Sequence, residues 1–366
     1  MKWIEEQQIK LKEVAADWKQ RFKIGQRNQV FGLDIGSSAI KMVQLHKSGD
    51  NYAVTAAGIA DVDCGSEKDD SGKEINVART IHQCLQSAGI QTKLAVCGVC
   101  GPETAVRHFT FPSLSPEEIE GAVLLEAKQV CPFNTDDGVV DYEVIPSDTK
   151  DINGILVVAT HKLLKEKTRF IDDAILTNVL RDVDGLALLN CFRGCQEYEA
   201  GQTIAILNVG RSCATLAIIG DDNLPSVRDL NYAGKAIIEN IAAKHNISAE
   251  TVEGVLSGRE NPDKIQLELR SDLETACHKL IIDVTETLRY YAVRRKSEMA
   301  KKIFVCGGFA LVEGFVDLLN SQLTVATVLW NPFDRISYDA SLPCADILSK
   351  KGPALAVAAG LAMRAI

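Results

Sequence analysis

The pattern of apolar and polar positions changes character at Val30. At 100° per residue, Trp3, Ile4, Leu11, Val14, Ala15, Trp18 and Phe22 fall on one face of residues 1–29. Lys2, Glu5, Glu6, Lys12, Glu13, Asp17, Lys19 and Lys23 take the flanks and the far side. The spacing predicts an amphipathic helix ending near Gly25, suited to packing on its own globular body, on a partner helix or on a membrane surface.

From Val30 the segment VFGLDIGSSAIKMVQL reads as two short strands about a Gly/Ser turn, and YAVTAAGIADV continues them. Ile75, Ala78, Ile81 and Leu85 mark a helix over Ile75 to Ala88, and Lys93 to Val99 reads as a strand. Ser115-Pro116-Glu117-Glu118 combines a cap, a proline at the first helical position and early acids. The helix it opens runs through Ala122, Leu125 and Ala127 and is stopped by Pro132. GVVDYEVI and GILVVAT are strands, with a helix over Lys162 to Leu176 after them.

The second half starts the same way, with strands in TIAILNVG, RSCATLAIIG and LPSVRDLNYAG. Helices are predicted over Lys235 to Lys244, about Glu250 to Leu256 and over Ser271 to Lys296. KKIFVCGG is a strand ending in glycines, followed by a helix over Val312 to Leu323, a strand in TVLWNP and a last helix over Pro353 to Arg364. DIGSS in the first half is thus echoed by NVGRS in the second. This is a duplicated hairpin unit, not a short-period solenoid.

The length of 366 residues suits two or three units of ~100–200 residues each. A net charge of -9, from 40 Lys plus Arg against 49 Asp plus Glu, opposes a nucleic-acid role, because phosphate binding needs a basic face. The 11 cysteines are odd in number, and Cys97, Cys100, Cys213 and Cys306 sit in apolar runs. That is how free thiols behave as small buried groups in a reducing compartment. Cys97-x-x-Cys100 has the spacing of a metal or redox pair, but no second such pair or histidine cluster follows it. MKWIEEQQIK lacks the charged-then-apolar order of a signal peptide, and no apolar run approaches the ~20 residues that cross a bilayer. The expected location is cytoplasmic, with any membrane role peripheral.

The candidate chemistry lies in the glycine turns. Asp34-Ile35-Gly36-Ser37-Ser38 offers backbone amides and two hydroxyls to an anion. Asp34 suits a Mg²⁺ ion held through its water shell, and Lys41 on the returning strand suits phosphate oxygens. Asn208-Val209-Gly210-Arg211-Ser212 repeats the motif, so two hairpins facing each other would clamp a polyphosphate from both sides. Gly234 opens a helix between this loop and Gly307-Gly308-Phe309, where glycines let a flat ring or ribose approach the backbone.

Two phosphate hairpins followed by a late GG turn resemble the actin, sugar-kinase and heat-shock-chaperone ATPase superfamily. Within it the chain is similar to the PilM family from Val30 onward. FGLDIGSSAIKMVQL, FPSLSPEEIEGAVLLEAKQVCPFNTDDGVVDYEVI, LRDVDGLAL, CGGFALVEGF and WNPF carry the likeness. The resemblance implies an α/β, actin-like (ribonuclease H-like) fold of two lobes with an FtsA-type inserted subdomain. The first lobe would take residues 30–103 with 178–204 and 350–366, and the insert 104–177. The second lobe would take 205–235 with 303–349, and its outer subdomain 236–302.

The resemblance also implies ATP or ADP with Mg²⁺ as cofactors and a groove for the N-terminal peptide of a PilN-type membrane protein. Other pilus assembly proteins are implied as further partners, with association to the inner membrane indirect and homo-oligomerisation left open. It says nothing of residues 1–29. One position departs from the family pattern: Asn208 stands where the second phosphate loop normally opens with Asp, so it can hydrogen-bond a metal-bound water without supplying charge. Arg211 either replaces part of the metal's charge or occludes the phosphates. Asp184, in the expected linker between lobes, is the nearest candidate to orient a water, or else a capping or solvated carboxylate. Nucleotide binding with weak or absent hydrolysis is the expectation. The alternatives are an active ATPase or phosphotransferase, and an FtsA-like division protein, whose C-terminal amphipathic helix has no counterpart after Arg364-Ala365-Ile366.

Overall fold

In the computed structural model the described residues are 30–62, 70–145, 150–195, 202–220, 224–260, 269–295 and 298–364. The amphipathic segment 1–29 lies outside them.

Strands β1 (Phe31–Ile35), β2 (Ala39–Ser48) and β3 (Asn51–Asp61) form an antiparallel meander. Helix α1 (Asp70–Ala88) then crosses over to β4 (Leu94–Val99), which pairs parallel to β1. The chain next builds a separate sheet from β5 (Thr104–Phe111), β6 (Gly138–Ile145) and β7 (Ile152–Thr160), in the order β5-β7-β6. Helix α2 (Pro116–Val130) covers one face of it with Val123 and Ala127. The start of α2 is the predicted one: Ser115 and Glu118 form a capping box. Helix α3 (His161–Asp173), strand β8 (Thr177–Val183) and helix α4 (Asp184–Cys195) return to the first sheet, whose order is β3-β2-β1-β4-β8.

The second half repeats this plan. Strands β9 (Ile204–Val209), β10 (Ala214–Ile219) and β11 (Ser226–Leu230) are the meander, followed by helices α5 (Gly234–His245), α6 (Ala249–Leu256) and α7 (Leu269–Arg295). Then come β12 (Lys302–Cys306), α8 (Phe315–Gln322), β13 (Ala326–Leu329), α9 (Ala345–Lys351) and α10 (Ala356–Met363). The order β11-β10-β9-β12-β13 matches that of the first sheet strand for strand.

Burial explains the layers. On β1, Phe31, Leu33 and Ile35 join an outer core with Val77 and Ile81 of α1, so the alternate residues Gly32 and Asp34 face inward. On β9, Ala205, Leu207 and Val209 pack outward onto α5, α7 and α8, which leaves Ile206 and Asn208 inward. Helices α4 and α10 fill the space between the sheets, and all 8 residues of α10 are buried. Phe192 of α4 packs on Phe304 at 4.8 Å and Trp330 at 5.6 Å between ring centroids, tying the halves together. Helix α10 lies against β1 so closely that a methyl at Gly32 would overlap the Ala358 carbonyl.

Two stretches gain detail over the sequence expectation. LRDVDGLAL, expected as the linker between lobes, forms the edge strand β8 running into the buried helix α4. Helix α3, within the 104–177 segment assigned to the insert, buries Phe170 and Ile171 in the outer core of the first sheet. Its last turn ends on Ile175, which takes a left-handed φ of 54° while its side chain is 66% exposed. A branched residue there costs ~1–2 kcal/mol and gains little by burial. Ile175→Gly should therefore raise stability by about 1 kcal/mol, less than the full strain because glycine loses more backbone entropy on folding. A urea midpoint that moves up with an unchanged slope is the check.

Candidate functional site

The two meanders bring their turns together. In the first, Gly36 N–H donates to Ala39 O at 3.2 Å, and in the second Gly210 N–H donates to Cys213 O at 3.0 Å. Strand register places Lys41 opposite Asp34 and, at the equivalent point of the second hairpin, Thr215 opposite Asn208. The hairpins touch at their tips, where Ser212 Oγ donates to Ser37 Oγ at 2.7 Å. Separating two such hydroxyls costs about 1 kcal/mol, so this edge of the cleft is weakly tied. The base is held more firmly: Gly101 N–H donates to Asp229 Oδ2 at 2.7 Å, while Thr215 Oγ1 donates to Asp229 Oδ1 at 2.6 Å.

Lys41 Nζ lies 2.8 Å from Asp34 Oδ2. Burial opposes the lysine's charge, but the charge and hydrogen bond of Asp34, together with Asp184 and Cys100, outweigh it and hold the pKa above the ordinary lysine value. A Cβ at Gly36 would sit 3.1 Å from that ammonium, so the glycine keeps the space beside Lys41 open. Amides, hydroxyls and an ammonium around such a gap suit a phosphate oxygen. A metal fits less well. Asp34 is engaged by Lys41, Asn208 is neutral, and among the described residues no group of three or more His, Cys, Asp or Glu could hold a metal ion.

Asp184 is the first residue of α4 and is buried. Burial and then the Asp34 charge push its pKa up to about 7, opposed by the Cys100 thiol and Lys167. The expected linker carboxylate is thus not solvated but buried between the two sheets, near Asp34 of one and Asp229 of the other. Burial likewise raises Asp229, against the pull of its bonds to Thr215 and Gly101. Cys97 and Cys100 do not act as a pair. Cys97 belongs to the outer core, whereas Cys100 faces the cleft, hydrogen-bonded to Cys213 of the second hairpin, and its pKa is raised well above the usual thiol value by that bond and by burial.

Arg211 leaves the phosphate side. Its Nη1 meets Glu253 Oε2 of α6 at 2.6 Å, an ion pair that holds the guanidinium towards α6. Gly234 opens α5, and its amide donates to Gly210 O at 3.0 Å. Gly307 takes φ of 95°, and a side chain there would overlap Val209 O, so only glycine fits. Its amide donates to Pro353 O at 2.9 Å. Gly308 is exposed and Phe309 is buried, its ring edge-to-face with Phe315 at 5.0 Å. Ser38 is half-buried beside the first turn, its carbonyl accepting the Val62 amide at 2.9 Å.

Asp229, Thr215 and Lys167 escaped the sequence reading, although the signal existed. Period two puts Asp229 on the same face as the inward Val227. Lys167 lies between Leu163 and Phe170 on the buried stripe of α3.

The architecture has solved relatives. The chain superimposes on the PilM-PilN type IV pilus biogenesis complex with a TM-score of 0.79 at 23% identity, covering 93% of this chain and 99% of that one. The ethanolamine utilization protein EutJ from Carboxydothermus hydrogenoformans gives 0.52 at 14% identity, covering 91% and 88%. The nucleotide-free diol dehydratase-reactivating factor gives 0.52 at 10% identity, covering 91% and 98%. The fold is therefore actin-like, as expected, and proteins of the actin-like ATPase fold generally bind nucleotide with Mg²⁺. Among the described residues no helix is long and apolar enough to cross a membrane. A family model described as type IV pilus assembly protein PilM matches residues 32–366, and the chain belongs to that family.

Proposed function

We propose that this chain is a nucleotide-binding scaffold of the type IV pilus assembly complex, working on the cytoplasmic face of the inner membrane. Membership of the family across residues 32–366 carries this reading. The partner is the N-terminal cytoplasmic peptide of a PilN-type membrane protein, held between the first lobe and the inserted sheet β5-β7-β6, which gives peripheral attachment through that partner.

ATP or ADP would enter between the hairpins. Gly36, Ser37, Ser38 and Lys41 would hold phosphate from one side, Gly210 and Ser212 from the other, with the Gly307-Gly308 turn near the adenosine. Mg²⁺, whose chemistry is to neutralise phosphate charge, would be held chiefly by the phosphates, with Asp34 reaching its water shell only where Lys41 moves from the carboxylate to the phosphate. Asn208 adds no second charge and Thr215 replaces the lysine of the first hairpin, so turnover is slow and serves switching between conformations.

The test is ligand binding to the full chain. Adenine nucleotide at one hundred times its dissociation constant should add ~2.7 kcal/mol of stability. Lys41→Ala should lose most of that increment, whereas Lys350→Ala, at a side chain 73% exposed, should keep it. A melting curve unmoved by millimolar ADP in nucleotide-free protein contradicts the nucleotide half. Failure of a PilN-type N-terminal peptide to bind the folded chain contradicts the other half.

A further inference from the structure

Helix α3 leaves the inserted sheet without a break. Thr160 ends β7, caps the helix by accepting the Leu163 amide at 3.3 Å, and donates its hydroxyl to Glu103 Oε1 at 3.0 Å. Two turns further on, Lys167 reaches back to the first lobe, and its ammonium donates to the Ile35 carbonyl at 2.9 Å. Ile35 is the last residue of β1 and immediately precedes the Gly36-Ser37-Ser38 turn. This side-chain contact is a direct polar tie between α3 and that hairpin. The next residue, Thr168, accepts Arg181 Nη2 of β8 at 2.9 Å, which keeps this face of the helix on the first sheet.

We propose that Lys167 is a positioning residue that sets the first phosphate hairpin and relays movement of the inserted subdomain to it. A carbonyl gripped by an ammonium fixes its peptide plane, and that plane carries the Gly36 amide on its other side. Moving α3 therefore turns the first amide of the phosphate turn. The helix is stiff and capped directly by the last residue of β7, so a peptide that shifts the inserted sheet shifts Lys167 as well. Coupling of this kind is reciprocal: the peptide changes nucleotide affinity by the same factor as nucleotide changes peptide affinity. The relay rests on the proposed function, whereas the positioning role stands on the Ile35 contact alone.

The experiment uses the full chain as wild type, Lys167→Met and Lys167→Arg. Amide hydrogen exchange without ligand should be about tenfold faster over residues 35–39 in Lys167→Met and unchanged over 209–213, with Lys167→Arg close to wild type. With ADP as probe, a saturating PilN-type N-terminal peptide should change wild-type affinity by about fivefold or more. In Lys167→Met that change should fall below about twofold, while Lys167→Arg retains it. A purely structural lysine would lower stability and leave the coupling factor alone. Unchanged exchange at 35–39 in Lys167→Met overturns the positioning role, and an intact coupling factor overturns the relay. If wild type binds neither ADP nor peptide, the proposed function and the relay that rests on it fail, and the exchange comparison still decides the role of Lys167.

Discussion

Gly32→Ala should destabilise the protein by about 3–5 kcal/mol, above the ~1–3 kcal/mol usual for overpacking because the clash is with backbone, and a large share of the ~5–15 kcal/mol that holds a typical fold. The added methyl would meet the Ala358 carbonyl and lie 2.6 Å from Ala362 N, both backbone atoms of α10. Backbone in a fully buried helix cannot swing aside as a side chain does. Helix α10 would have to move as a body, opening gaps against α4, β1 and β2. The matched comparison is Gly121→Ala in α2, where the methyl meets nothing within 4 Å. There the same change should stabilise by ~0.5–1 kcal/mol through helix propensity. Urea unfolding of the two variants should move in opposite directions, and a Gly32→Ala cost under about 1 kcal/mol would show that α10 is loosely held.

Asp184→Asn should stabilise the protein above neutral pH and give no such gain in acid. The folded-state pKa is raised from 3.8 to about 7, chiefly by burial and then by Asp34. A raised pKa means that this group's contribution is complete below its unfolded pKa and is lost as pH rises through the folded value. The folded state then carries the full cost of a buried charge above about pH 7. Asparagine cannot ionise, so the difference between variant and wild type should open between pH 4 and pH 7 and level off above. Its size is on the order of 2–4 kcal/mol. Denaturant unfolding at a series of pH values reads it directly, because groups shared by both proteins cancel. A difference flat from pH 4 to pH 8 would mean that Asp184 does not titrate in this range.

The repeated meanders were legible because their strands are apolar runs broken by Gly/Ser turns, and the start of α2 because its cap, proline and acids act locally. GVVDYEVI forms a strand over the predicted span, Gly138–Ile145. Strand β5 was not seen. TAVRHFTF mixes Arg107 and His108 into an apolar run, and what makes it a strand is pairing with β7 nearly fifty residues later. Helix α4 was hidden for a related reason. Most of DGLALLNCFRGC is buried against the two sheets, and only Asn190 and Arg193 mark its outer side, too few polar residues to reveal a helical period. The turns of the site could be read from their glycines. The acids Asp184 and Asp229 could not, because their meeting is set by how the halves dock, which local spacing does not encode.

Helix α10 bears on how the chain is made. It completes the inner side of β1 and β2, yet β1 is the first described strand and α10 the last described helix. Synthesis runs from β1 towards α10, so the part of the first sheet's inner face that α10 covers waits in water while the whole second half is produced. The second sheet closes its outer core from contiguous residues 205–325 and can settle as soon as they emerge. Contacts of long sequence separation form late and leave apolar surface open to aggregation in the meantime. The halves share one topology, but the half made first is the one that finishes last.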